Sequence, residues 1–76
     1  MKDVLEYIAR ALVDDPDAVE VTAVEGERSL ILQLRVAPDD MGKVIGKKGR
    51  IARAMRSVVR AAGSRQGVST LVEIVE

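Results

Sequence analysis

Seventy-six residues, 47% of them hydrophobic and only one aromatic (Tyr7), suffice for one small domain with an aliphatic core. The absence of Cys and His removes disulfides, thiolate and imidazole metal ligands, and His- or Cys-based catalysis together. Twelve Lys and Arg balance twelve Asp and Glu, but not locally: residues 1–40 carry four cations and ten anions, whereas residues 41–72 carry eight cations and no anion.

Residues 2–13 have the spacing of an amphipathic helix, with Val4, Leu5, Ile8, Ala9 and Leu12 on one face. Asp14-Asp15-Pro16-Asp17 stops it, because the residue before proline is driven out of the helical region. Val19 to Ala23 then alternates with period two, as a half-buried strand does, and residues 25–28 read as a turn. Leu30, Leu32, Leu34 and Val36 define a second strand, antiparallel to the first by the shortness of the connection. Pro38-Asp39-Asp40 suits a helix start, with acids near the positive end of the dipole. A short helix is expected from Met41 to Ile45, interrupted by Gly46-Lys47-Lys48-Gly49. From Arg50 to Ala62 the helical period returns, with Ile51, Met55, Val58, Val59 and Ala62 on one side and Arg53, Arg56 and Arg60 opposite. Gly63 is placed to end that helix, and Val68 to Val75 reads as a third strand. The order α-β-β-α-α-β predicts an α+β sandwich, a three-stranded sheet packed on one face by three helices, as one domain over residues 1–76.

No apolar run approaches the roughly 18 residues of a membrane span, and Asp3 and Glu6 interrupt any signal-peptide core. The expectation is a cytoplasmic protein with no membrane partner. The pairs Asp14-Asp15 and Asp39-Asp40 read as helix-end residues rather than as an acid–base couple, so no enzyme, metal, cofactor or small-molecule substrate is expected.

A Gly-x-x-Gly match alone carries little weight; its setting carries more. Glycines lacking Cβ permit a sharp reversal and close approach of another backbone. The following helix offers unpaired N–H groups at its start, and Lys47 and Lys48 add point charges suited to phosphate. A solvated helical hairpin would use the same glycines for its turn and the same lysines for solubility. Against it, Arg53, Arg56 and Arg60 have no acid on their own helix, where ordinary solvated helices mix signs. A nucleotide-binding P-loop is excluded on spacing: between Gly42 and Gly46 lie three residues instead of four, and Lys48 stands where Ser or Thr must bind magnesium.

Val44-Ile45-Gly46-Lys47-Lys48-Gly49-Arg50-Ile51 resembles the signature of KH RNA-binding domains, and the element order resembles their type II, prokaryotic arrangement. More narrowly, residues 39–47, Gly49-Arg50-Ile51-Ala52 and Asp17-Ala18-Val19-Glu20-Val21 resemble the small bacterial single-KH proteins of the KhpA family. The resemblance implies single-stranded RNA held by its backbone on the Gly-x-x-Gly loop, with bases over an aliphatic groove. It assigns close backbone approach to Gly46 and Gly49, phosphate pairing to Lys47 and Lys48, flanking contacts to Lys43, Arg50 and Arg53, and groove lining to Ile45. Ile51 is a second candidate for the groove, plain core is the competing reading for both isoleucines, and Ala52 departs from the isoleucine that many KH domains carry at that position. Tyr7 alone supplies no stacking platform, and is expected in helix packing or a dimer contact. The resemblance further implies an RNA chaperone or post-transcriptional regulator, a homodimer or a heterodimer with a larger KH-containing protein (KhpB, or Jag), and a link to bacterial cell elongation and division. The competing expectation is a protein-interaction adaptor or ribosome-assembly factor whose basic helix docks an acidic partner or rRNA.

Overall fold

Alternating leucines place one face of β2 (Ser29–Arg35) in the core, and the other elements are arranged about that strand. In the computed structural model, which describes residues 2–75, the order is α1 (Lys2–Leu12), β1 (Glu20–Gly26), β2, α2 (Met41–Ile45), α3 (Arg50–Arg65) and β3 (Ser69–Val75). Single 3-10 turns lie at Pro16–Ala18, Pro38–Asp40 and Lys47–Gly49. The sheet order is β1-β2-β3. β1 runs antiparallel to β2, with Glu20 opposite Arg35 and Gly26 opposite Ser29. β3 runs parallel to β2, with Ser29 opposite Ser69 and Arg35 opposite Val75. A parallel neighbour requires a crossover, which α2 and α3 supply. The result is the α+β, type II KH arrangement.

Leu5 and Ala9 of α1, Leu32 and Leu34 of β2, Val44 of α2, Met55 and Val59 of α3 and Val72 of β3 form one buried cluster. Burying each Leu or Val side chain is worth about 1.5–3 kcal/mol. Val44 matters most for function, because it pins the short α2, and hence the loop after it, onto the core.

Several expectations are corrected. The helix does not end at Gly63, which is buried inside it; α3 continues to Arg65. A glycine within a helix costs only about 1 kcal/mol, and the true stop is Gly67, at φ 72°. Val68 N–H donates to Gly63 C=O and Gly67 N–H to Ser64 C=O, the paired bonds of a Schellman ending. The buried stripe of α3 is Ala52, Met55, Val59 and Gly63, while Val58 is 49% exposed and Ile51 and Ala62 are half-buried. The sheet covers one flank of the apolar arc, and α1 covers the other only in part. Arg56 is not on the solvent side: it is half-buried, and its Nε donates to Val72 C=O at 3.3 Å. Glu25 and Gly26 belong to β1, so the turn shrinks to Glu27 and Arg28. Tyr7 takes no part in packing within the chain, being 78% exposed.

Candidate nucleic-acid interface

The loop between α2 and α3 has a backbone that glycine dictates at two points. Gly46 adopts φ 74°, ψ 175°, a region essentially restricted to glycine. A Cβ there would stand 2.6 Å from Ile51 Cγ1 and 2.9 Å from its Cβ and Cδ1, so Ile51 fills the space beneath the loop. Gly49 is left-handed, at φ 73°, ψ 16°, but nothing lies within 4 Å of where its Cβ would be. Gly46 is therefore glycine for both space and conformation, whereas Gly49 needs only the conformation and leaves an open surface above it. Between them Lys48 also takes a left-handed backbone, at φ 57°, ψ 27°. Arg53 braces it, with Nη2 donating to the Lys48 carbonyl at 3.1 Å. Lys47 and Lys48 are exposed.

One side of the loop opens onto a groove of about 600 Å³. Met41 and Ile45 of α2, Ala52 of α3 and Ile74 of β3 give it an apolar lining, and Lys48, Arg53 and Arg56 give it a cationic rim with Gly49 at its head. No acidic residue lines it. β3 is an edge strand of the sheet, and Arg56 of α3 donates to the carbonyl of its Val72. Such a groove suits an extended, polyanionic chain carrying flat apolar groups: cations and a Cβ-free backbone for the chain, aliphatic surface for the groups.

A family model described as KhpA/KhpB, KH domain, matches residues 2–74. The chain belongs to the KhpA/KhpB KH-domain family. It is 57% identical over 75 residues to the RNA-binding protein KhpA of Clostridium acetobutylicum, covering 99% of this chain and 100% of that one. It is 49% identical over 76 residues to the RNA-binding protein KhpA of Aquifex aeolicus, covering 100% of this chain and 96% of that one. Among solved structures, Aquifex aeolicus Era bound to GDP and aluminium fluoride superposes with a TM-score of 0.63 at 19% identity. Era in complex with MgGDPNP and nucleotides 1506–1542 of 16S ribosomal RNA gives 0.55 at 20% identity. Each match covers 97% of this chain but 30% of the Era chain, so the likeness is one of fold with a single part of a longer protein.

Within this KhpA/KhpB domain the residues singled out from sequence do not all converge. Ile45, Lys48, Gly49 and Arg53 line the groove, and Gly46 and Lys47 complete the loop at its head. Ile51 lies beneath Gly46 and, with the exposed Arg50, borders a separate apolar cleft against Ile8 and Leu12 of α1. Sequence reasoning missed Arg56, Met41 and Ile74 as groove residues. The three-residue step from Arg53 to Arg56 could have flagged the first; nothing local to Ile74 could have placed its strand at the edge.

Lys43 is engaged elsewhere. Its ammonium pairs with the Asp14 carboxylate and lies 3.6 Å from Asp40 Oδ1. Asp40 is 3% exposed and makes no cap on α2; its Oδ1 accepts the N–H of Asp14 at 3.2 Å and its Oδ2 the N–H of Asp15 at 3.0 Å. This carboxylate thus ties the end of α1 to the start of α2. Burial pushes the Asp40 carboxyl upward, but the Asp15 and Asp14 N–H groups and the Lys43 ammonium outweigh it, so the group sits below its ordinary value. Asp14, helped by Asp40, holds Lys43 above the ordinary lysine value against its partial desolvation.

Proposed function

We propose that this chain is a non-catalytic RNA-binding module that grips single-stranded RNA along the groove headed by Gly46-Lys47-Lys48-Gly49. The observation that carries the reading is the union of an open, Cβ-free Gly49 with two exposed lysines that make no ion pair among the described residues, above an acid-free groove. The names borne by the relatives support it. In this reading Gly46 and Gly49 let the RNA backbone approach, Lys47 and Lys48 meet phosphates, and Arg50 and Arg53 supply flanking field, while Lys43 stays paired with Asp14 and Asp40. Ile45, with Ala52 and Ile74, supports the bases. The small Ala52 keeps the floor low where a larger side chain would rise into the groove.

One clamp contacts about four nucleotides, so binding is weak and salt-dependent, and a second clamp on the same RNA adds avidity. The apolar cleft bordered by Ile8, Leu12, Ile51, Ala54 and Val58 supports self-association, or pairing with a larger KhpB (Jag) partner. The wider setting, a cytoplasmic RNA chaperone or post-transcriptional regulator linked to bacterial cell elongation and division, follows the family resemblance.

The test is the double substitution Lys47→Asp with Lys48→Asp, its fold checked by circular dichroism, titrated against fluorescent single-stranded RNA. We expect at least a tenfold loss of affinity, about 1.4 kcal/mol or more. Wild-type affinity in the variant would overturn the clamp, and wild-type binding insensitive to salt would point to the protein-adaptor alternative.

A further inference from the structure

The seam between α3 and β3 does not end at Arg56. A second cavity, of about 340 Å³, opens at its far end between Arg60 and Ser64 of α3, Gly67 and Val68 of the turn, and Ser69 and Thr70 of β3. Its lining holds one cation, three hydroxyl-bearing residues and no acid. Thr70 is only 7% exposed, and its Oγ1 is a buried polar atom with no partner among the described residues. A buried hydroxyl left unpaired is a net cost to folding, and it asks for a ligand or a reason. Arg60 takes part in none of the ion pairs of the described residues.

The two cavities share one track. Arg53, Arg56 and Arg60 follow the three- and four-residue steps of a single helix ridge, and Ser64 continues it. On the facing strand, Ile74 lines the first groove, the Val72 carbonyl holds Arg56, and Thr70 lines the second cavity, each two residues from the next. From Gly49 to Arg60 the helix rises roughly 16 Å. The negative end of the α3 dipole lies close by, but the carbonyls of Gly63 and Ser64 are already occupied by the N–H groups of Gln66, Gly67 and Val68.

We propose that this cavity is a second phosphate subsite, in which Arg60 and the hydroxyls of Ser64, Ser69 and Thr70 receive a backbone phosphate of the RNA strand held at the loop. The inference rests on the RNA-binding reading above and extends it. Bound here, the strand runs the length of α3, and the subsite rewards longer single strands over short ones.

The experiment titrates oligouridylates of four and ten nucleotides against wild type, Arg60→Gln and Thr70→Val, with melting curves for each protein. Arg60→Gln should weaken the ten-mer three- to tenfold, leave the four-mer within twofold, and make the ten-mer's salt slope shallower by about 0.7. Thr70→Val should weaken the ten-mer with no loss of melting temperature. Equal weakening of both oligomers by Arg60→Gln would reduce Arg60 to general field and overturn the subsite, as would no weakening of either. Inorganic phosphate binding that depends on Arg60 without any change in ten-mer affinity would assign the cavity to a free anion, overturning its place on the RNA path. A wild type that binds neither oligomer overturns the RNA-binding reading, and the subsite with it.

Discussion

Lys43 and Lys47 stand four residues apart on either side of Gly46, and the fold uses them in opposite ways. Lys43 is drawn onto Asp14 and Asp40, where it completes a partly buried carboxylate network joining α1 to α2. Lys47 and its neighbour Lys48 project from a turn held in glycine geometry and meet no acid among the described residues. The same side chain is structural where the chain offers it a carboxylate and available where it does not. Charge in the sequence is therefore a poor guide to charge at the surface until each cation's partner is known. Here one of the loop-flanking lysines is spent on the fold, while the half-buried Arg56 turns out to face the groove.

The sharpest way to break this comparison is at the loop's glycines. Gly46→Ala meets Ile51 at 2.6 Å and a backbone region closed to side chains, so we expect a loss of roughly 2–5 kcal/mol in urea unfolding. Gly49→Ala meets no atom, and only the left-handed backbone opposes it, so the same measurement should give about 1–2 kcal/mol. Equal losses would mean that the packing of Ile51 under the loop is not what distinguishes the two positions.

The lysines come next. Lys47→Gln and Lys48→Gln should each lower single-strand RNA affinity about two- to fivefold with unchanged melting temperature. Lys43→Gln should do the reverse, lowering the melting temperature and moving affinity less than twofold. A larger affinity loss at Lys43 than at Lys47 would show that the ion pairs with Asp14 and Asp40 open when RNA binds.

The smallest effect is on pH dependence. Because the folded Asp40 carboxyl lies below its ordinary value, the unfolded chain takes up the proton first as pH falls. Its contribution is present above about pH 4 and is lost as pH drops through the folded value. Melting curves from pH 6 to pH 3 should therefore fall less steeply for Asp40→Asn than for wild type. A parallel fall would show that other carboxylates dominate acid unfolding.

Much of this architecture was legible in the residues. The period-two leucines of β2, the Pro16 stop after α1 and the five-residue α2 all appear where local pattern puts them, because each depends on neighbours in sequence. What local pattern could not give was anything decided between elements. Gly63 looked like a helix end because a glycine's meaning depends on what packs against it, and the left-handed stop fell instead to Gly67. Val58 looked buried because the helical wheel cannot tell that α1 leaves that flank open. Asp40 looked like an acid serving the dipole at the start of a helix, yet the N–H groups it accepts lie 25 and 26 residues away. The Gly-Lys-Lys-Gly loop was visible, but its groove was not, since Ile74 arrives from the last strand.

The central claim is that RNA lies along the loop, α3 and the edge of β3, and amide chemical-shift mapping tests it most directly. A 15N-labelled sample titrated with a ten-nucleotide single strand should shift residues 45–56 and 70–74 most, leaving Arg10 to Arg28 nearly unmoved. Shifts centred on α1 or on the β1–β2 turn, with Gly46 to Gly49 unchanged, would contradict it.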